Sequence, residues 1–398
     1  MPRSAWVLFA GSFVNRLGTF VLPFITLYLT SDRGYSAPQA GIAVAAYGLG
    51  GVLAQMTGGL IADRLGRRNT IAISMFAAGA LTIALWRASS LSSIYPLMTA
   101  LGATAELYRP AAGALIADLL PPEQRVTAFT LYRLAVNVGW AVGLALGGFV
   151  FEHSTALLFL GDAATSIAFG AISLVALPHG TRTAKHEEAH LPTARRSIAA
   201  DRGFLLFLGA VLITAIVYSQ NASTFALHVR DTGHTPSTFG LLQAFNGLLI
   251  VVFELPLIAW TQRRDRLRVV ALGELLICLG FCSLLVAESV PALAAMVIVW
   301  SLGEMIESPV SSTIAADRAP VRARGRYQAA YGAMFGVAWM IGPVVGTTVY
   351  SHSPDALWLG CGVAGIVAAS LALSARRHPV PVHEEDVVLP EAVSPTER

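Results

Sequence analysis

The sequence predicts an all-α membrane protein with twelve transmembrane helices, arranged as two parallel, pseudo-symmetric halves of six. Three observations support this fold class. Of the 398 residues, 55% are hydrophobic and 13% are charged, whereas a soluble protein carries about 25% charged residues. Apolar runs long enough to cross the hydrocarbon core of a bilayer recur along the chain. The landmarks of the first half also reappear in the second half at one fixed offset.

Twelve apolar runs follow one another, each bounded by polar residues, Pro or Gly. We expect helices over residues 5–30, 38–62, 69–88, 92–117, 126–151, 155–177, 204–228, 236–261, 268–287, 290–315, 325–350 and 355–374. The long polar segment 179–203 predicts a cytoplasmic linker between a first half, 1–178, and a second half, 204–375. The acidic, Pro-rich end 376–398 predicts a disordered cytoplasmic tail.

Lys and Arg residues are distributed unequally between the two ends of the predicted helices. With both termini on the same side, 21 of the 27 basic residues fall on that side and three, Arg33, Arg87 and Arg230, on the other. Cytoplasmic loops carry the excess of Lys and Arg in membrane proteins. We therefore expect a multi-pass protein of the cytoplasmic (inner) membrane with both termini in the cytoplasm.

A shift of 199 residues superimposes landmarks of the two halves without a gap. The coinciding pairs include Gly41 and Gly240, Gly48 and Gly247, Pro110 and Pro309, Asp118 and Asp317, Tyr132 and Tyr331, and Trp140 and Trp339. An offset of six spans gives both halves the same orientation, so the repeat is parallel and its axis lies along the membrane normal. A substrate site is then expected between the halves, near the midplane.

A short basic loop joins the second and third predicted helices. Its pattern consists of Gly59, Asp63, Arg64, Gly66, Arg67 and Arg68. The loop resembles the signature loop of the major facilitator superfamily, and the resemblance extends over about residues 5–375. It implies the major facilitator fold. It also implies a conformational latch, in which Asp63 holds the second helix against the eleventh and the arginines brace it. In the second half, Gln262 stands at the position of Asp63.

Two glycine-rich stretches lie in the fifth and eleventh predicted helices. The residues are Gly139, Gly143 and Gly147 in the first half, and Gly342, Pro343 and Gly346 in the second. The first stretch resembles the antiporter motif of the same superfamily, although Leu144 replaces the proline of that motif. Small residues four positions apart let helices approach closely. Helix packing alone therefore also explains these glycines.

Ionisable side chains inside the membrane are costly and usually face a cavity or a partner. The candidates for a substrate and proton cavity are Arg16, Glu106, Arg109, Arg133, Asn137, Glu254, Glu304 and Glu307. The arginines come from the first half and most glutamates from the second, which predicts a polarised cavity that binds a zwitterion or closes as ion pairs. A glutamate in an apolar wall can carry a proton at physiological pH.

Several of these residues have a structural alternative. Glu106 can form a structural pair with a neighbouring arginine, and Glu254 can be a gate or a packing residue. Asp162 can cap a helix or form an ion pair near the outer surface. Glu274 lies in the ninth helix, which the resemblance places outside the cavity. Aromatic residues of the spans, including Tyr47, Trp140 and Trp339, are assigned to packing.

The resemblance implies secondary active transport of a small molecule by alternating access, most similar to efflux by bacterial drug:proton antiporters. Three buried arginines favour an alternative, the proton-coupled transport of an anionic or zwitterionic metabolite such as an amino acid, a peptide or an organic acid. A lipid flippase or a sensor is a third reading.

Enzymatic function is not expected, since the chain contains no H-E-x-x-H, nucleotide-binding loop or Ser/His/Asp pattern. We expect no cofactor, no metal site and no nucleic-acid partner. The expected partners are a small-molecule substrate, protons as the coupling ion and the lipid bilayer. The resemblance implies that the protein is a monomer.

Overall fold

A computed structural model describes residues 1–179, 198, 200–319 and 324–378. The regular structure in these residues is helical throughout, as the sequence predicts. Twelve spans, numbered here in chain order, are formed by Arg3–Leu17 with Val21–Leu27, Ala37–Leu65, Arg67–Arg87, Leu91–Leu119, Pro122–His153, Thr155–Ala176, Arg202–Tyr218 with Thr224–Asp231, Pro236–Thr261, Arg266–Cys282, Val290–Asp317, Arg324–His352 and Pro354–Ala375.

Eleven helical segments of the described chain are long and apolar enough to cross a membrane. Span 4 is not one of them, because it carries Glu106, Arg109 and several other polar residues along its 29 residues. Close packing against span 2 holds it within the bundle. A Cβ atom on Gly50 would lie only 2.0 Å from the carbonyl oxygen of Thr99, so the two backbones touch.

Span 1 is broken near its midpoint, whereas the sequence predicted one continuous helix over residues 5–30. The helix stops at Leu17 and resumes at Val21. The Asp162 carboxylate accepts hydrogen bonds from the backbone N–H groups of Phe20 and Val21, at 3.1 and 3.0 Å. One side chain from span 6 therefore satisfies the donors that the break exposes.

Span 7 is broken at the equivalent place, again where a continuous helix was predicted, over 204–228. A single 3-10 turn, Ser219–Ala222, separates its two helices. The Gln220 side-chain amide donates to the backbone oxygens of Ile216 and Gly342, at 2.9 and 3.0 Å. Neither run is apolar at its break, where Gly18-Thr19 and Ser219-Gln220-Asn221 stand. A glycine or a short polar stretch inside a span does not by itself specify a helix break, so the predicted helices ran through both places.

The two halves meet chiefly through spans 2 and 11 and through spans 5 and 8. Glycines bring their backbones together. A Cβ atom on Gly48 would lie 2.8 Å from the carbonyl oxygen of Trp339, and one on Gly240 would lie 2.4 Å from that of Leu144. Small residues are typical of helix contacts inside membranes, because they let backbones approach closely.

We call the end of the bundle with the loop at Gly66 the basic end. At the other end, two polar contacts join the halves. Glu152 Oε1 accepts from the backbone N–H of Ser237, and Arg230 Nη1 donates to Thr30 Oγ1, each at 2.8 Å. These contacts hold the halves together on the side away from the basic end.

Most of the predicted linker 179–203, and the tail 376–398 beyond residue 378, lie outside the described residues. The boundaries of the two halves therefore stay predictions. Where the chain enters span 7, Asp201 accepts from the backbone N–H of Phe204 at 2.9 Å and pairs with Arg318 at 2.7 Å. Both members of this ion pair are buried, so the start of span 7 is firmly anchored to the end of span 10.

Candidate functional site

A cavity of about 440 Å³ lies between the two halves, beside the breaks in spans 1 and 7. The first half contributes Arg16, Tyr47, Glu106, Arg109, Asn137 and Trp140 to its wall, among others. The second half contributes Tyr218, Asn246, Glu304 and Trp339, among others. Five of the eight predicted cavity residues are thus brought together, and their roles in transport stay predictions.

The first-half wall is a cluster of two guanidinium groups and one carboxylate. Arg109 Nη1 lies 2.9 Å from Glu106 Oε2, and Arg16 Nη2 lies 3.8 Å from Glu106 Oε1. Tyr47 Oη donates to Glu106 Oε1 at 3.4 Å. With all three groups ionised, the cluster carries one net positive charge. The i, i+3 spacing predicted that Glu106 and Arg109 share a face, and their ion pair confirms it.

Arg16 is held rigidly in this cluster. Its side chain is 7% exposed, and its Nε donates to Tyr108 Oη at 3.1 Å. The guanidinium also lies over the rings of Tyr108 and Trp140, 5.7 and 5.8 Å from their centroids. Such cation–π contacts stabilise a desolvated cation by about 0.5–2 kcal/mol. Arg109 differs, since 52% of its side chain is exposed and it is free to contact a solute in the cavity.

The second-half wall carries Glu304, whose hydrogen-bond donors are neutral. Tyr218 Oη donates to Glu304 Oε1 at 3.0 Å, and Asn246 Nδ2 donates to Oε2 at 3.2 Å. Among the described residues, the ion pairs include none to Glu304. This carboxyl group is therefore available either to a proton or to a cationic solute.

Three predicted cavity residues are not part of this wall. Arg133 Nη2 and Glu254 Oε1 form a 2.6 Å ion pair between spans 5 and 8, so they join the halves closer to the basic end. Glu307 lies behind the wall, where it is buried against Gly273 of span 9 and accepts a hydrogen bond from Ser311. The spacing of Glu304 and Glu307 along span 10 puts one carboxyl group in the cavity and the other in the core.

The predicted latch residues lie together at the basic end. Arg67 Nη1 contacts Asp63 Oδ1 at 2.5 Å, and Arg67 Nε lies 3.5 Å from Asp118 Oδ2. Gly66 adopts a φ of 86°, a conformation that other residues rarely take, and so allows the tight turn between spans 2 and 3. Asp63 thus binds span 3 through Arg67, and a hold on span 11 stays a prediction.

The other members of the loop are less constrained. Arg68 Nη2 lies 2.5 Å from His179 Nε2, and Arg64 is exposed. A Cβ atom on Gly59 would meet open space, whereas one on Gly58 would lie 2.6 Å from Pro110 Cγ. The close contact with span 4 therefore requires Gly58, which the loop pattern does not include.

In the first half, the loop residue Arg67 pairs with Asp118 near the end of span 4. The second half repeats this ion pair at the end of span 10. Arg266 and Asp317 form a salt bridge, and the offset of 199 residues takes Arg67 to Arg266 and Asp118 to Asp317. Gln262, which stands at the position of Asp63 in this loop, is not part of the pair. The offset was the signal that could have revealed the conserved pair.

In each half, the glycines of the motif bring their own span, span 5 or span 11, close to the broken span of the same half. Cβ atoms on Gly139 and Gly143 would lie 2.7 and 2.5 Å from the backbone oxygens of Phe13 and Leu17 in span 1. A Cβ atom on Gly147 would lie 2.9 Å from the Phe24 ring.

In the second half, Gly342 and Gly346 approach Ser219 and Gln220 in the same way, and the Pro343 carbonyl oxygen accepts from Thr347 Oγ1 at 2.6 Å. These contacts agree with the packing alternative for the motif.

Sequence reasoning missed several polar residues of the cavity. Tyr218 and Asn246 are the hydrogen-bond donors to Glu304, and Gln55 also lines the wall. Asn246 is a polar amide within the apolar run of span 8 and coincides with Tyr47 at the offset of 199 residues. Tyr47, Trp140 and Trp339 were assigned to packing, but all three line the cavity.

Comparisons with known proteins identify the family. A family model described as Major Facilitator Superfamily matches residues 8–229 and 210–396. An uncharacterized MFS-type transporter, YqjV of Bacillus subtilis, is 27% identical over 76% of this chain and 75% of its own length. The multidrug resistance protein MdtH of Escherichia coli is 25% identical over 88% of each chain.

Solved structures support the same fold. The nucleoside transporter NupG matches with a TM-score of 0.82 and 14% identity, covering 94% of this chain and all of NupG. A bacterial homologue of the lysosomal transporter Spinster, in an inward-facing conformation, matches with a TM-score of 0.78 and 15% identity, covering 95% and 98%. Similarity at this level of identity establishes the fold and leaves the transported solute open.

Proposed function

The chain belongs to the major facilitator superfamily of transporters, and on that premise we propose that it exports small lipophilic cations in exchange for protons. The observation that carries the proposal is Glu304. This carboxyl group lines the central cavity, and its hydrogen-bond donors are neutral. A proton and a cationic solute therefore compete for the same carboxylate, and this competition couples their opposite movements. The similarity to a multidrug resistance protein supports export of drug-like solutes.

The cycle proceeds by alternating access. The basic end faces the cytoplasm, as the excess of arginine in its loops favours. With the opposite end closed by the glycine contacts and by the Glu152 and Arg230 contacts, a cation enters from the cytoplasm and displaces the proton of Glu304. Rocking of the two halves opens the other side, where the cation leaves and Glu304 is protonated again. Asp63 and Arg67 hold the basic end closed in that state.

Transport by purified protein in proteoliposomes tests this proposal. An imposed proton gradient should drive accumulation of ethidium, a lipophilic cation, against its concentration gradient. Glu304→Gln keeps the shape of the side chain but cannot exchange a proton, so gradient-driven transport should fall at least about tenfold. Glu288→Gln is the matched control, because Glu288 is exposed in the loop between spans 9 and 10. Full gradient-driven transport by the Glu304 variant would refute the proposal.

A second candidate function is favoured by the first-half cluster. Its two guanidinium groups exceed its one carboxylate, and Arg109 is half-exposed in the cavity. This arrangement suits the carboxylate of an anionic or zwitterionic metabolite. If carboxylated solutes are transported instead of ethidium, and Arg109→Ala abolishes that transport while Glu288→Gln preserves it, this candidate replaces the first.

A further inference from the structure

Glu274 in span 9 is a carboxyl group that the proposed cycle does not use. Its side chain is completely buried, with 0% of its surface exposed. Among the described residues, neither of its carboxyl oxygens has a hydrogen-bond partner. An ionised carboxylate in such a place costs far more free energy than a neutral carboxylic acid. Glu274 therefore carries a proton in this structure.

A second carboxyl group lies beside Glu274. Spans 9 and 10 are in contact here, since a Cβ atom on Gly273 would lie 2.5 Å from Glu307 Cβ. Glu307 is buried, and Gly273, against which it packs, is the residue next to Glu274. Two neighbouring carboxyl groups with little access to water do not both ionise. Glu307 accepts a hydrogen bond from Ser311, which stabilises its ionised form, so a shared proton resides mainly on Glu274.

The remaining neighbours of this pair provide no positive charge. Tyr331 of span 11 is a further titratable group near the pair, and Cys278 lies one turn from Glu274 on span 9. Thr214 of span 7 and Cys361 of span 12 lie beside Cys278. Within the part of the chain that the structure describes, these groups are neutral at physiological pH. A proton is therefore the charge that compensates Glu274.

A connection to the cavity runs along span 10. Glu304 in the cavity wall and Glu307 in the core are three residues apart on span 10, about one helical turn, so their side chains are neighbours on the helix surface. The three carboxyl groups thus form a row from the cavity through Glu307 to Glu274. We propose that Glu274 is a proton-binding site outside the cavity, which exchanges its proton with Glu304 through Glu307. This inference rests on the proposed proton coupling.

The transfer is a sequence of balanced proton movements. When Glu304 is ionised, the proton of Glu274 moves to the ionised Glu307 carboxylate and from there to Glu304. One carboxyl group gains each proton that its neighbour loses, so the total charge of the row is unchanged. The row returns to its first state when the proton passes back from Glu304 through Glu307 to Glu274.

Infrared difference spectroscopy of the full-length protein in lipid measures this site directly. At neutral pH, we expect the carbonyl stretch of a buried, protonated carboxyl group, and Glu274→Gln should remove it. Glu288→Gln, at the exposed loop, should leave it unchanged. A Glu274→Gln protein that keeps its helical circular dichroism and the full carbonyl band would overturn the assignment.

The relay has its own test, which also applies if the Glu274 variant does not fold. In Glu307→Gln the Glu274 band should remain, but its exchange in D₂O should be slower by about tenfold or more, since the intermediate acceptor is lost. Exchange at the wild-type rate would refute the relay through Glu307. If the wild-type protein shows the Glu274 band but no proton-driven transport, the proposed function is refuted, whereas the assignment of a proton to Glu274 still holds.

Discussion

The two sides of the central cavity occupy equivalent positions in the repeat but carry different charges. In the first half, Tyr47 donates to Glu106, and two arginines neutralise that carboxylate. In the second half, Asn246 stands at the position of Tyr47 and donates to Glu304, whose other donor, Tyr218, is also neutral. A donor from span 2 or span 8 thus reaches a carboxylate of span 4 or span 10 in each half, although the offset takes Glu106 to Met305, one residue beyond Glu304. The neutralising cations are present on one side only.

The rest of the frame is repeated more closely. Spans 1 and 7 are broken at equivalent places, glycines of spans 5 and 11 pack against those breaks, and Trp140 and Trp339 line the cavity from both sides. The offset of 199 residues takes Arg16 to Ala215. The same offset takes Arg109 to Ser308, so two substitutions remove both cations from the second half. The duplicated frame therefore sets the shape of the cavity, and a few substitutions set its charge.

The largest effect that we expect is a difference in stability between variants of the two cavity carboxylates, Glu106 and Glu304. Glu106→Gln leaves the buried Arg16 and its neighbour Arg109 without a counter-ion, so the free energy of unfolding should fall by about 3 kcal/mol. Glu304→Gln removes no counter-ion and should lower it by less than about 1 kcal/mol. Thermal unfolding of both purified variants in one detergent measures the difference. Equal losses of stability would show that the two sides are not electrostatically distinct.

A smaller difference in stability is expected between variants of the two repeated ion pairs at the basic end. The Arg67 side chain is 6% exposed and contacts two carboxylates, whereas Arg266 and Asp317 are each 54% exposed. Arg67→Ala should cost about 2 kcal/mol of stability, and Arg266→Ala less than about 1 kcal/mol. Unfolding of the two variants by denaturant gives both values. A larger loss for Arg266→Ala would contradict the burial argument.

The smallest expected effect concerns the helix break in span 1. Asp162→Ala removes the acceptor for two backbone N–H groups and should cost about 1 kcal/mol, as loss of a helix cap does. Hydrogen exchange at the amides of Phe20 and Val21 should accelerate accordingly. Asp162→Asn keeps one side-chain oxygen as acceptor and is the control. Unchanged exchange in Asp162→Ala would show that the break does not depend on this side chain.

The fold was predictable from the sequence because its signals are long and periodic. Twelve apolar runs and one fixed offset specify the spans and the parallel repeat without any contact information. The breaks at residues 18–20 and 219–223 were not predictable from the apolar runs. They depend on Asp162 and Gly342, which lie far away in the chain and meet the breaks only in the folded structure.

The site was predictable in part, for the same reason. Glu106 and Arg109 share one helix, so their spacing alone placed them together. Arg133 and Glu254 lie 121 residues apart, and their pairing depends on how spans 5 and 8 cross. Glu304 and Glu307 are separated by one turn, and the small rotation of span 10 that puts one in the cavity and the other in the core is beyond the precision of a helical count.

The glycine contacts between the halves determine how readily the end away from the basic loops can open. Where Gly48 meets Trp339 and Gly240 meets Leu144, backbone lies against backbone. Among the larger side chains, the buried rings of Phe24 and Phe239, whose centroids lie 5.4 Å apart, must also separate. The activation barrier for opening then includes the loss of this ring contact and of the Glu152 and Arg230 contacts. Substitution of Glu152 or Arg230 is therefore expected to change the rate of opening without any change in the wall of the central cavity.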